Sequence, residues 1–330
     1  MVARKGLRSQ GKGGVTPSLE PPEFLVGRSS KFDLVYADGA RRLTCFYYLP
    51  NTWTTRTPLL FVCHGILRDA DAYFARWRKG GGQDTRHYAL MVPEFSEEHF
   101  PGRARYNSGN VYADEDWMQR LPRSEWSFSL IETLFDEYRR ATGSVLGGYY
   151  MYGHSAGGQF VHRMIAFNAS QAGQSRAVRA VCANSGFYTM PTREEAFPFG
   201  FGGAEGTFSD DDLVAFLQAP MTVLLGTADT DSKHRNLNRE EPAMRQGEHR
   251  LARGRSFFAA GHRAARKAGV TCGWRLEYVK DAGHTDALLG PAAAAILFPL
   301  PDSDPRGLSF ASEANPVGGT QSRVWLPSKL

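Results

Sequence analysis

Tyr149-Tyr150-Met151-Tyr152-Gly153-His154-Ser155-Ala156-Gly157-Gly158 is an apolar run that ends in Gly-x-Ser-x-Gly and leads into a helical pattern from Gln159. A serine on so tight a strand-to-helix turn has a strained backbone, and glycines two residues to either side let neighbouring chain approach without a Cβ clash. That geometry exposes the hydroxyl, which makes Ser155 a candidate nucleophile. Gly and Ser are common in this chain, so the five-residue pattern is weak alone, and the strand before it and helix after it carry the reading. A Gly/Ser-rich turn without chemistry is the bland alternative. The Ala156 amide opens that helix, where unsatisfied N–H groups and the helix dipole favour an anion. Ala156 is therefore expected to form half of an oxyanion hole.

A serine hydroxyl needs a base, and the usual base is an imidazole oriented by a carboxylate. Of nine histidines, only His284 lies just beyond the last predicted strand, in Asp281-Ala282-Gly283-His284-Thr285-Asp286. It is the expected base. His64, before Gly65, reads as a hydrogen-bonding loop residue, and His154 as a neighbour that packs beside the nucleophile and borders the substrate. Val223-Leu224-Leu225-Gly226-Thr227-Ala228-Asp229-Thr230-Asp231 offers two aspartates past a strand. Asp229, nearer the strand end, is the expected acid, and Asp231 remains as the alternative or as a loop-capping residue. The second oxyanion donor is expected in His64-Gly65-Ile66-Leu67, from the amide of Ile66 first and Leu67 second, with Gly65 allowing an unusual backbone angle.

Further out, short β-rich runs at 34–36, 43–49, 59–63, 89–92, 149–152, 178–182, 222–225 and 275–279 alternate with helical patterns at 70–77, 128–141, 159–168, 252–267 and 287–298. Alternation of that kind, with several runs continuously apolar, predicts an α/β domain whose mostly parallel, eight-stranded sheet has helices on both faces. The stretch 187–218 breaks the pattern. It is long and rich in Gly, Pro and Phe, and reads as a cap over the site, with Phe187, Tyr188, Phe197, Phe199 and Phe201 lining an apolar pocket. Tyr188, Phe199 and Phe201 join Leu67 and His154 as expected substrate contacts. Asn107 and Asn110 read as turn residues or substrate contacts.

The chain is 42% hydrophobic and 22% charged, close to soluble globular averages, so a core needs no disulfide or metal staples. A net charge of +5 is spread among comparable numbers of acids, which argues against a nucleic-acid stripe. The local exception is the start, where Arg4, Lys5, Arg8 and Lys12 precede the first acid, Glu20. Residues 1–30 therefore read as a flexible basic tail, 31–300 as the domain, and 301–330 as a polar C-terminal tail. No apolar run follows the basic start, and the longest apolar stretch, 292–300, falls short of the roughly 20 residues of a membrane helix. A cytoplasmic protein without a membrane partner is the expectation. Cys45, Cys63, Cys182 and Cys272 form no CxxC pair, which suggests neither a zinc site nor a dithiol motif, and they read as small buried hydrophobes, with a disulfide as the alternative.

With these segments in view, the chain resembles the α/β-hydrolases, and among them the bacterial group related to polyhydroxyalkanoate depolymerases and esterases. The resemblance spans roughly 43–298. It is carried by His64-Gly65-Ile66-Leu67-Arg68-Asp69-Ala70, by Phe100-Pro101-Gly102-Arg103 with Tyr106-Asn107-Ser108-Gly109-Asn110, by Gly153-His154-Ser155-Ala156-Gly157, and by Gly226-Thr227-Ala228-Asp229 with Gly283-His284. It implies the α/β-hydrolase fold with a cap insertion and hydrolysis of a small-molecule or oligomeric carboxylic ester through an acyl-enzyme, with no metal or organic cofactor. Polyester depolymerisation and amide or peptide hydrolysis fit the same three residues. A binding protein that keeps the fold without catalysis is the remaining rival.

Overall fold

A computed structural model describes residues 22–35, 41–79, 87–168, 176–299, 310–313 and 322–326. The expected basic tail around Arg4, Lys5, Arg8 and Lys12 lies outside them. The strands are β1 (Ser29–Val35), β2 (Arg42–Tyr48), β3 (Leu59–Cys63), β4 (Ala89–Glu94), β5 (Tyr149–His154), β6 (Ala177–Ala183), β7 (Met221–Gly226), β8 (Arg275–Val279), β9 (Phe310–Glu313) and β10 (Ser322–Trp325). The helices are α1 (Ala70–Arg78), α2 (Gly102–Arg105), α3 (Ser127–Thr142), α4 (Ala156–Asn168), α5 (Asp210–Gln218), α6 (Glu241–Gln246), α7 (Arg250–Ala268) and α8 (Asp286–Leu297).

All ten strands join one sheet in the order β1-β2-β4-β3-β5-β6-β7-β8-β10-β9. From β4 through β8 every pairing is parallel, and β1 and β2 add an antiparallel edge. Strands β3 and β7 are buried along their whole length, as their unbroken apolar sequences require of strands covered on both faces. Alternate side chains feed two cores. Phe61, Met151, Cys182 and Val223 pack toward α3, α4 and α7, and Leu60, Val62, Tyr152 and Leu224 toward α1 and α8.

The eight expected strands correspond to β1 to β8, and the count is corrected to ten. Strand β10 pairs in parallel with β8 and carries β9 antiparallel on its outer side. The pairing covers N–H and C=O groups that β8 would otherwise present as an open edge. Trp325 anchors it, its indole N–H donating to Glu277 at 2.6 Å.

Within 187–218, α5 is a regular helix, opened by a capping box in which Ser209 and Asp212 satisfy each other's backbone N–H. It packs on α4 and α7. The preceding aromatic run packs on the same side, with Phe197, Phe201 and Phe208 set around Phe167 of α4. Among the described residues no helix is long and apolar enough to cross a membrane.

Candidate active site

Ser155 occupies the single residue between β5 and α4 with φ of +58°, a left-handed conformation that L residues rarely adopt. Its N–H donates to the Ala183 carbonyl at 2.9 Å, and its carbonyl accepts from Gln159 at 3.1 Å. Crowding on both sides explains the glycines. A Cβ on Gly153 would stand 2.1 Å from the Gly157 oxygen, and one on Gly157 would stand 2.0 Å from the Cys63 oxygen. The turn can therefore press against β3 only with glycine at both places.

Asp229 follows β7 and His284 follows β8, so both arrive at the end of the sheet where β5 delivers Ser155. The Ala228 N–H donates to the Ala282 carbonyl at 2.9 Å, tying the acid's loop to the base's. His284 Nε2 lies 3.0 Å from Ser155 Oγ, and its Nδ1 lies 2.8 Å from Asp229 Oδ2. Asp229 is 2% exposed, while Asp231 sits outside, its carboxylate accepting from the Lys233 amide at 2.8 Å. Of the two aspartates, the structure brings only Asp229 to the imidazole.

Two polar residues that no sequence signal singled out hold this arrangement. Asn184, buried at the end of β6, accepts from the Gly226 N–H at 2.9 Å and donates to the Gly283 carbonyl at 3.1 Å. It thus bridges the strand end before Asp229 and the loop of His284. Arg250, the first residue of α7, is equally buried, and its Nη1 lies 3.5 Å from Asp229 Oδ1, the oxygen His284 leaves free. Neither lies in a motif. An arginine in a basic chain reads as surface until its burial is known.

The Ala156 amide opens α4, and the turn after β3 brings Ile66 and Leu67 to the same cleft. No hydrogen bond of the Ala156 or Ile66 amide is seen among the described residues. The unusual angle expected at Gly65 falls instead at Arg68, with φ of +61°. Arg68 is fixed there by donating to the carbonyls of Phe95 at 2.5 Å and Gly102 at 2.9 Å. At Gly65 a Cβ would lie 3.1 Å from the Tyr73 hydroxyl, a tight contact that the tyrosine would have to yield to. His64 accepts from the Phe95 N–H at 3.1 Å through Nε2, which leaves its Nδ1 proton for the Gly65 carbonyl at 2.9 Å. Burial pulls its pKa down to about 3, so the ring is a neutral strut between two loops.

His154 is buried beside the nucleophile, with Nδ1 2.8 Å from the Tyr73 hydroxyl and its ring 4.7 Å from that of His284. Burial, then the neighbouring His284 and Arg250, hold its pKa well below the ordinary value. It borders a cleft of about 360 Å³ lined also by Gly65, Ile66, Leu67, Asp69, Tyr73, Arg76, Ser155, His234, Arg235, Asn236 and residues 284–287. Ile66 and Leu67 form its apolar lip, 49% and 69% exposed.

No residue of 187–218 lines that cleft, which corrects the expectation of a pocket-forming cap. Tyr188 stacks on Phe257 of α7, Phe201 stacks on Phe208, and Phe199 pairs with Phe187; all are buried. The aromatic run gains more by completing the core over α4 and α7 than by lining a wet groove. Asn107 and Asn110 are likewise buried, donating to Gln159 at 2.8 Å and to the Glu125 carbonyl at 2.7 Å. Among the described residues no group of three or more His, Cys, Asp or Glu is placed to hold a metal ion.

No protein-family model matches the chain, and no curated protein sequence matches it. Solved structures do. Poly(aspartic acid) hydrolase-1 from Sphingomonas sp. KT-1 is 39% identical, with a TM-score of 0.76 over 83% of this chain and 99% of its own. LpqC, a poly(3-hydroxybutyrate) depolymerase from Bordetella parapertussis, is 32% identical, with a TM-score of 0.73 over 84% of this chain and 92% of its own. MPT51 (FbpC1) of Mycobacterium tuberculosis, at 11% identity and a TM-score of 0.52 over 82% of this chain and 96% of its own, shares the fold alone.

Proposed function

Since this chain belongs to the α/β-hydrolase superfamily, in the group that holds poly(aspartic acid) hydrolase and poly(3-hydroxybutyrate) depolymerase, and is an enzyme of the hydrolase class, we propose that it is a serine esterase. Ser155 Oγ attacks the carbonyl carbon of a carboxylic ester while His284 Nε2 takes its proton. Asp229 holds the Nδ1 proton and stabilises the imidazolium. The amides of Ala156 and Ile66 receive the oxyanion, His284 returns the proton to the departing alcohol, and water repeats the sequence on the acyl-enzyme.

The observation that carries this reading is the relay from Asp229 through His284 to Ser155, at 2.8 and 3.0 Å. A nucleophile in a strained turn at a helix N-terminus supports it. Small or oligomeric esters fit an open cleft with an apolar lip at Ile66 and Leu67. Polymer hydrolysis is the second reading, favoured by the names of the two relatives above 30% identity.

Turnover of p-nitrophenyl butyrate tests the first reading. Ser155→Ala is expected to lower kcat by about 10⁴ or more with an unchanged circular dichroism spectrum, and a variant as active as the parent removes the proposal. Matched p-nitroanilides separate ester from amide cleavage. Equal rates on both would move the assignment to an amidase.

A further inference from the structure

The loop after β7 lines the cleft with three consecutive polar residues, His234, Arg235 and Asn236. His234 Nδ1 accepts the Asn236 N–H at 3.1 Å and lies 3.1 Å from Arg250 Nη2. A guanidinium has donors only, so both contacts are donations to Nδ1, and the ring proton is left on Nε2. A second proton, on Nδ1, would be aimed at a buried cation. The ring is thus a neutral donor of known tautomer. It stands edge-on to His284, with centroids 5.6 Å apart and planes at 67°. Nε2 is on the side of the ring turned away from Arg250, and no partner takes its proton among the described residues. Arg250 meanwhile reaches Asp229 Oδ1 with its other terminal nitrogen.

We propose that His234 is a substrate-binding residue whose Nε2–H donates to a second acceptor oxygen of the ester, a carbonyl or ether beyond the scissile group. Arg250 is the positioning residue that sets the angle of that donor while it holds the free oxygen of Asp229. The preferred substrate is therefore an oxygenated ester rather than a plain alkyl one. One guanidinium couples the substrate wall to the acid of the proton relay. The inference deepens the esterase reading and rests on it for the identity of the ligand.

Binding separates the two claims, because it is read without turnover. On a Ser155→Ala background, calorimetry compares p-nitrophenyl methyl succinate with p-nitrophenyl hexanoate, and 2-methoxyethyl butyrate with butyl butyrate. The members of each pair are nearly equal in length; the first differs by a methyl ester group, with a carbonyl and an ether oxygen, on the acyl side, and the second by one ether oxygen on the alcohol side. The oxygenated member of at least one pair should bind about tenfold more tightly, the order expected of one buried hydrogen bond. Adding His234→Phe should bring that ratio close to one, and His234→Gln, which keeps an N–H donor, should restore part of it. Arg250→Lys keeps the charge beside Asp229 but loses the fork, and should lose the preference as His234→Phe does. No preference in either pair, or a preference that survives His234→Phe, overturns the role of His234, and survival in Arg250→Lys overturns that of Arg250. Turnover by the unmodified chain is scored separately, so an inactive protein that shows the preference would fail as an esterase and not as a binder.

Discussion

Asp229 uses both carboxylate oxygens, one toward His284 at 2.8 Å and one toward Arg250 at 3.5 Å. Its work in the proposed mechanism is to hold the Nδ1 proton, and Asp229→Asn can hold the ring only in the wrong tautomer. That change should lower kcat on p-nitrophenyl butyrate by about 10³ to 10⁴, measured beside a circular dichroism spectrum that shows the variant folded, while the unfolding midpoint falls because buried Arg250 loses its carboxylate. Three other histidines, His64, His154 and His162, are held neutral by burial, His64 down to about 3. The unfolded chain protonates these rings near pH 6.5, so below that pH protons favour unfolding. Stability is full above about pH 6.5 and falls as the pH drops toward 3, by up to about 1.4 kcal/mol per unit for each ring. Urea midpoints at pH 7.5 and 5.0 should differ for the parent chain and differ less in His64→Gln. The positions of Ser155, Asp229 and His284 are legible in the sequence because each follows a strand-like run at one end of the sheet, apolar before Ser155 and Asp229 and mixed in β8 before His284. Arg250, Asn184 and His234 are not, because burial and partner, rather than any spacing, give them their places.

At the scale of elements, the strand–turn–helix around Ser155 depends on backbone approach. Gly157→Ala would set a Cβ 2.0 Å from the Cys63 oxygen, and neither backbone can give way. Its expected cost is about 3 kcal/mol or more. Gly269, which caps α7 with φ of +71°, has nothing within 4 Å of a built Cβ, so Gly269→Ala should cost only the left-handed strain, about 1 kcal/mol. Thermal or urea midpoints of the two variants test this contrast, and equal losses would contradict it. Helices were legible where one face repeats, as in α3 with buried Leu130, Ile131, Leu134, Phe135 and Tyr138. The irregular segment after β6 was not, because composition says that aromatic rings will be buried but not against which face. Buried arginines answer that. Arg163 donates to Thr189 and to the carbonyls of Asn107 and Pro198, and Arg253 to those of Gly186, Asn238 and Gly247. These two side chains staple the loops to α4 and α7, with carbonyl dipoles in place of carboxylates.

At the scale of the molecule, one sheet with two cores brings loops from distant parts of the chain to a single edge. Strands β1 to β8 could be read from β-rich runs, but β9 and β10 could not. Phe-Ala-Ser-Glu and Ser-Arg-Val-Trp are short and mixed, and they become strands because β8 has an edge to pair. Deleting 300–330 should uncover β8 and strip the buried Glu277 carboxylate of its Trp325 donor. A lower thermal midpoint and self-association in light scattering are expected, and a monomer of parental stability would contradict that role. The convergence of Ser155, His284 and Asp229 is the claim on which the rest depends. Treatment of the folded chain with a fluorophosphonate, followed by peptide mass spectrometry, tests it most directly. One adduct per chain is expected, on Ser155, formed at least about 10²-fold more slowly in His284→Ala; no adduct, or one on another residue, would refute the convergence.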